Sequence, residues 1–142
     1  MTTLQKHLLF GIAALALALP LNAAAQMKPG MYEYTIKMNM PGAPANMPAQ
    51  TMQRCLAAAD VEGNKAYQMP QQGSDCKVSD MRENGGKFSY KMACTKPQQL
   101  DGNVQGSVTP TGMSMDMTMT MADMPGPMTQ SITAKRTGDC AK

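Results

Sequence analysis

Histidine is almost missing from this chain: His7 is the only one, and it falls in an N-terminal stretch expected to be removed. Without an imidazole, Ser-His-Asp and Cys-His nucleophiles lack their base, and most zinc hydrolases lack a ligand. Tryptophan is absent too, and aromatics make up only 4% of residues. No C-x-x-C pair occurs, so the usual zinc-site spacing is missing. No G-x-G-x-x-G or P-loop occurs either, and Gly85-Gly86 is a turn. Basic residues such as Lys28, Arg54, Arg82, Lys96 and Arg136 are scattered, with little aromatic interleaving. A nucleic-acid partner is therefore not expected. What remains for catalysis is a set of carboxylates, Glu33, Asp80, Glu83 and Asp116, and no spacing singles any of them out. As alternating strand residues they are expected to face solvent. Neither an enzyme nor a bound cofactor is expected.

What is present begins with a leader. A short polar opening with Lys6 and His7 is followed by an apolar run from Leu8 to Leu21 and by Ala23-Ala24-Ala25 before Gln26. This is the pattern of a secretory signal peptide with an A-x-A site, cleaved after Ala25. The run falls short of the roughly 20 residues a spanning helix needs, so no membrane span is expected in the mature protein. Residues 26–142 then form a single domain, expected in the periplasm or outside the cell. Removing Lys6 with the leader leaves 12 basic against 10 acidic residues, a balance of +2 that calls for no polyanionic partner.

The dominant signal in that domain is a period of two. Met113, Met115, Met117, Met119 and Met121 alternate with Ser114, Asp116, Thr118 and Thr120, which puts an apolar row on one face of a strand and a wet row on the other. Tyr32, Tyr34, Ile36, Met38 and Met40 alternate in the same way. The Pro-rich segment 41–48 then forces a loop. A short strand near Thr51–Leu56 and one or two helical turns over Ala57–Glu62 follow, ending at Gly63-Asn64. Residues 63–74 read as a surface connection.

Beyond Cys76, a hairpin about Asn84-Gly85-Gly86 places Cys76 opposite Cys94, Val78 opposite Met92 and Glu83 opposite Lys87. Val104, Gly106 and Val108 mark a further strand. After Pro125-Gly126-Pro127 the chain can return along the methionine strand, with Met121 facing Met128 and Met117 facing Ile132. The sum is an all-β fold: an antiparallel sheet of about seven strands, curled barrel-like or in two layers, with one short helix.

The opening Lys28-Pro29-Gly30-Met31-Tyr32-Glu33, Cys55-Leu56 before a short acidic helix, Asp75-Cys76-Lys77, Met92-Ala93-Cys94-Thr95 and the final Gly138-Asp139-Cys140 together resemble the family known as domain of unknown function 3617. The resemblance spans nearly all of the mature chain, and the order of its four cysteines is the most specific part. Two positions depart from the pattern. Tyr32 stands where the family usually has an aromatic such as Trp, and Ala57 where it has a helix-capping Thr. The resemblance implies a β-rich domain exported by Gram-negative bacteria, and it implies no activity or catalytic residues.

Four cysteines in an exported domain, Cys55, Cys76, Cys94 and Cys140, point to two disulfides. The hairpin register selects Cys76–Cys94 and leaves Cys55–Cys140.

Methionine is abundant at 17 residues. Its simplest role is to fill core positions that Val, Ile and aromatics would otherwise take, because the side chain is unbranched and tolerates irregular space. A soft Cu(I) site from Met115, Met117, Met119 and Met128 is the sharper alternative, with Met38, Met40, Met47 and Met124 as solvent-reachable companions. A third role is a Met-lined groove for an apolar small molecule or an envelope partner chain. The expected function is a non-catalytic binding or structural module of the cell envelope.

Overall fold

The computed structural model describes residues 26–44, 47–62 and 75–141. The leader and the connection at 63–74 lie outside the described residues. Seven strands form one antiparallel sheet: β1 (Gly30–Asn39), β2 (Gln50–Leu56), β3 (Asp75–Asn84), β4 (Lys87–Lys96), β5 (Leu100–Thr109), β6 (Gly112–Met121) and β7 (Met128–Gly138). A single helix, α1 (Ala58–Val61), follows β2. The strand order is β2-β1-β7-β6-β5-β4-β3, so the sheet is not closed, and β2 and β3 are its edges. From β3 to β7 each strand pairs with the next one along the chain. The β1–β7 pairing then joins the two ends of the described chain.

The alternation of side chains dictates these strands. In β6 Met113, Met115, Met117 and Met119 are buried, while Ser114, Asp116, Thr118 and Thr120 are exposed. Opposite faces of one strand are thus sorted as a period of two requires. The same sorting buries Phe88, Tyr90, Met92 and Cys94 on β4 and Ile132 and Ala134 on β7. These residues, with Tyr32, Leu56, Val61, Val104 and Val108, belong to one apolar cluster. Among the described residues no second sheet covers that face, and α1 has only four residues. One sheet buries its own face to this extent only by curling around it. The expected barrel-like curl is therefore the one realised, without closure. The apolar side chains left most exposed, Met38, Met52, Val78 and Met81, lie on the two edge strands or on β1 beside them.

Two registers differ from those expected. The β3–β4 turn uses two residues, Gly85 and Gly86, at φ 57° and 80°. Only glycine-like conformations of that kind match the right-handed twist of a hairpin. Asn84 therefore faces Lys87 and Glu83 faces Phe88, while Cys76 still faces Cys94 and Val78 still faces Met92. A bulge between Ser79 and Arg82 absorbs the extra residue, and within it Asp80 takes φ 53°. On β6–β7 the pairing is Met119 with Met128 and Met115 with Ile132, two residues away from the expected Met121–Met128 and Met117–Ile132 pairs. The connection between the last paired residues thus spans 120–127 instead of 122–127. Because two residues is a full side-chain period, the shift leaves the buried face unchanged.

One end of the curl is sewn shut by the segment before β1. The Lys28 amide donates to the Pro110 carbonyl at 2.9 Å, and the Tyr32 hydroxyl donates to the Lys28 carbonyl at 2.7 Å. Arg136 Nε donates to the Pro29 carbonyl at 3.0 Å. Met27, at 4% exposure, is held beneath these bonds. At the start of α1 the Ala57 amide donates to the Asp60 carboxylate at 2.9 Å. That is half of a capping box, since alanine has no side-chain oxygen to return the bond.

Candidate functional site

The methionine face is built by β6 and by its two neighbours. Met115 is 1% exposed and lies opposite Ile132 on one side and Gly106 on the other. A Cβ on Gly106 would collide with the Ser114 carbonyl and the Phe88 ring, so the backbone there is pressed directly against its neighbours. Met117 is 6% exposed and faces Val104 and Gln130. Both positions are closed to solvent.

Towards the other end, Met119 lies directly opposite Met128 and, across β5, opposite Gly102. Gly102 leaves space that both flanking methionines enter. A Cβ built there would stand 3.5 Å from Met119 Cγ and 3.7 Å from Met92 Cε. The four sequence-chosen methionines therefore do not meet at one point. Met119 and Met128 are cross-strand partners, while Met115 and Met117 continue down the strand into the core. Met92 and Met119 instead flank Gly102, one from β4 and one from β6, and sequence reasoning missed that placement of Met92. Its signal lay in the hairpin register, which already put Met92 on the inward face. The aligning element, a glycine on β5 between the two, carries no methionine pattern of its own. At the rim, the Gln98 amide nitrogen donates to Met121 Sδ at 2.6 Å.

Both cysteine pairs are joined, Cys55 to Cys140 and Cys76 to Cys94. The first ties the end of β2 to the residues after β7, and the second links the edge strand β3 to β4. Among the described residues no group of three or more His, Cys, Asp or Glu side chains is arranged to hold a metal ion. Of the candidate carboxylates, Asp80, Glu83 and Asp116 are exposed and Glu33 is half-buried. The Lys91 ammonium, 2.8 Å away, holds the Asp80 carboxyl below its usual range through a hydrogen bond and through charge. Asp116 accepts a hydrogen bond from Ser131 Oγ at 2.6 Å. Burial pushes the phenols of Tyr32, Tyr34 and Tyr90 above the usual tyrosine value.

The family model described as "Protein of unknown function (DUF3617)" matches residues 27–140, which takes in every strand and both disulfides. The chain belongs to this family. The match covers the clasp of residues 27–29, the sheet and Cys140. No curated protein and no solved structure matches the chain. Among the described residues no helix is long and apolar enough to cross a membrane.

Proposed function

We propose that this family member is an exported, non-catalytic module of the cell envelope, in which the methionine row is packing material and partners are met by the surface. The carrying observation is the burial of the row: Met113, Met115, Met117 and Met119 are all between 1% and 6% exposed, and the first three belong to the aromatic and aliphatic cluster. Two disulfides and the A-x-A leader support an oxidising compartment. The sulfurs of a packed row contact carbon, so a soft metal has no path to them unless the sheet opens.

Two measurements test this reading. Expression of the full chain in a Gram-negative host, followed by fractionation and N-terminal sequencing, should recover a periplasmic species beginning at Gln26. A full-length species retained in the cytoplasm or the membrane would defeat the export half. In the second, melting under anaerobic, chelator-buffered Cu(I) should show no shift. One site binding only the folded state would add about 2.7 kcal/mol at 100 times its dissociation constant, enough to see clearly. A saturable rise that vanishes in a Met115→Leu, Met117→Leu, Met119→Leu triple variant would overturn the packing role, because leucine keeps the apolar volume and removes only the sulfur.

A further inference from the structure

The outer, polar face carries an arrangement that the core does not use. Directly paired positions form a continuous row across five strands: Arg82 faces Ser89, Ser89 faces Gln105, Gln105 faces Asp116, and Asp116 faces Ser131. A parallel row runs from Lys91 through Asn103 to Thr118. Two adjoining cavities of about 520 and 530 Å³ open over these rows and share Arg82, Ser89, Gln105 and Asp116. The bulge in β3 belongs to the same place, since the ion pair between Asp80 and Lys91 lines one cavity. Asp80 in that bulge is the one described non-glycine residue at positive φ, and such outliers concentrate at functional sites.

The chemistry of the groove narrows its occupant. Asp80 and Lys91 neutralise each other, and Arg82 and Asp116 leave one charge of each sign, so the groove attracts no polyion. Ser131 occupies one oxygen of Asp116 and leaves the other uncommitted. Gln105, Asn103 and Arg82 make no side-chain hydrogen bond among the described residues, so amide and guanidinium groups stand ready. Sugar hydroxyls donate and accept at once, and adjacent pairs of them match a carboxylate, an amide or a guanidinium. Strands lie about 4.8 Å apart, close to the length of one hexopyranose unit in an extended β-1,4 chain. A chain laid across the strands would therefore meet a fresh polar side chain at each sugar.

We propose that this face binds a neutral β-1,4-linked oligosaccharide running across β3 to β6, with Arg82, Ser89, Gln105 and Asp116 each presented to one of four successive sugar units. The proposal rests on the reading of the protein as a binding module. Phe88 and Tyr90 border the cavities but are buried, so among the described residues no exposed aromatic ring is offered to a sugar there; affinity comes from hydrogen bonds, and a dissociation constant of about 1 mM is expected.

The test is an NMR titration of the ¹⁵N-labelled, disulfide-bonded protein with chitotetraose. Saturable shifts should be confined to outer-face residues of β3–β6. Arg82→Ala and Gln105→Ala should each weaken binding about fivefold or more, as loss of one hydrogen bond implies. Thr35→Ala, on the same face but on β1, should leave it unchanged. Absence of saturable shifts overturns the proposal. Equal shifts with a zwitterionic tetra-alanine peptide also overturn it, since they would make the groove a peptide site. Release of shorter sugars during the titration would support the groove while overturning the non-catalytic reading, so the two failures are distinguishable.

Discussion

At the scale of single residues, the alternation on β6 makes adjacent positions behave as opposites. Met117 points into the core and Thr118 into water, although one peptide bond separates them. A carboxylate at Met117 must either lose its hydration among Val104 and its neighbours or stay protonated, which costs several kcal/mol. Thr118→Asp should change stability by less than about 0.5 kcal/mol. Thermal melts of the two variants side by side decide the matter. Equal melting temperatures would mean that the face assignment is wrong.

Among the elements, the edges of the sheet are the points where stability has to be supplied from outside the ladder. Edge strand β3 pairs only with β4, and edge strand β2 only with β1. Each is tied by a disulfide to something more central. The two bonds close loops of very different length, with sequence separations of 85 for Cys55–Cys140 and 18 for Cys76–Cys94. In the chain-entropy account the longer loop contributes between about 4 and 5 kcal/mol and the shorter about 3. Replacing Cys55 and Cys140 together by Ala should thus lower the denaturant midpoint more than replacing Cys76 and Cys94. The reverse order would show that anchoring the bulged edge strand outweighs loop entropy. Non-reducing peptide mapping of exported protein should join the same pairs, with no free thiol.

For the molecule as a whole, alkaline pH acts through the curled core. Tyr32, Tyr34 and Tyr90 come from β1 and β4, and burial raises each above the ordinary tyrosine value. For a raised value the sign is fixed: below the unfolded value both states are neutral and full stability is present. As pH rises past about 10 the unfolded chain ionises first, and stability is lost through the folded values. Melting temperature should therefore hold steady up to about pH 9 and fall above it. Tyr32→Phe should flatten that fall and, by removing the bond to Lys28, cost about 1 kcal/mol at neutral pH. An unchanged alkaline profile in that variant would show that Tyr32 does not carry the effect.

Much of this protein was determined by sequence alone because its signals are local. A strict period of two fixes which face of each strand is buried, wherever the strand ends up. The Gly and Pro turns fix that the strands run antiparallel, and the order of four cysteines marks the family. The cysteine end of the β3–β4 register was legible for the same reason, since a hairpin is a short-range object. The glycine pair at its turn admits a two-residue loop as readily as a three-residue one, and only the fold selected the former and placed the compensating bulge at Asp80. The two-residue slip of β7 against β6 was equally invisible, because it preserves every face and only the length of the turn distinguishes it. Tertiary structure alone decided the placement of Met92 and Met119 on either side of Gly102 and the polar row from Arg82 to Ser131. Each depends on the registers of several strand pairs at once, and no single stretch of sequence carries more than one of them.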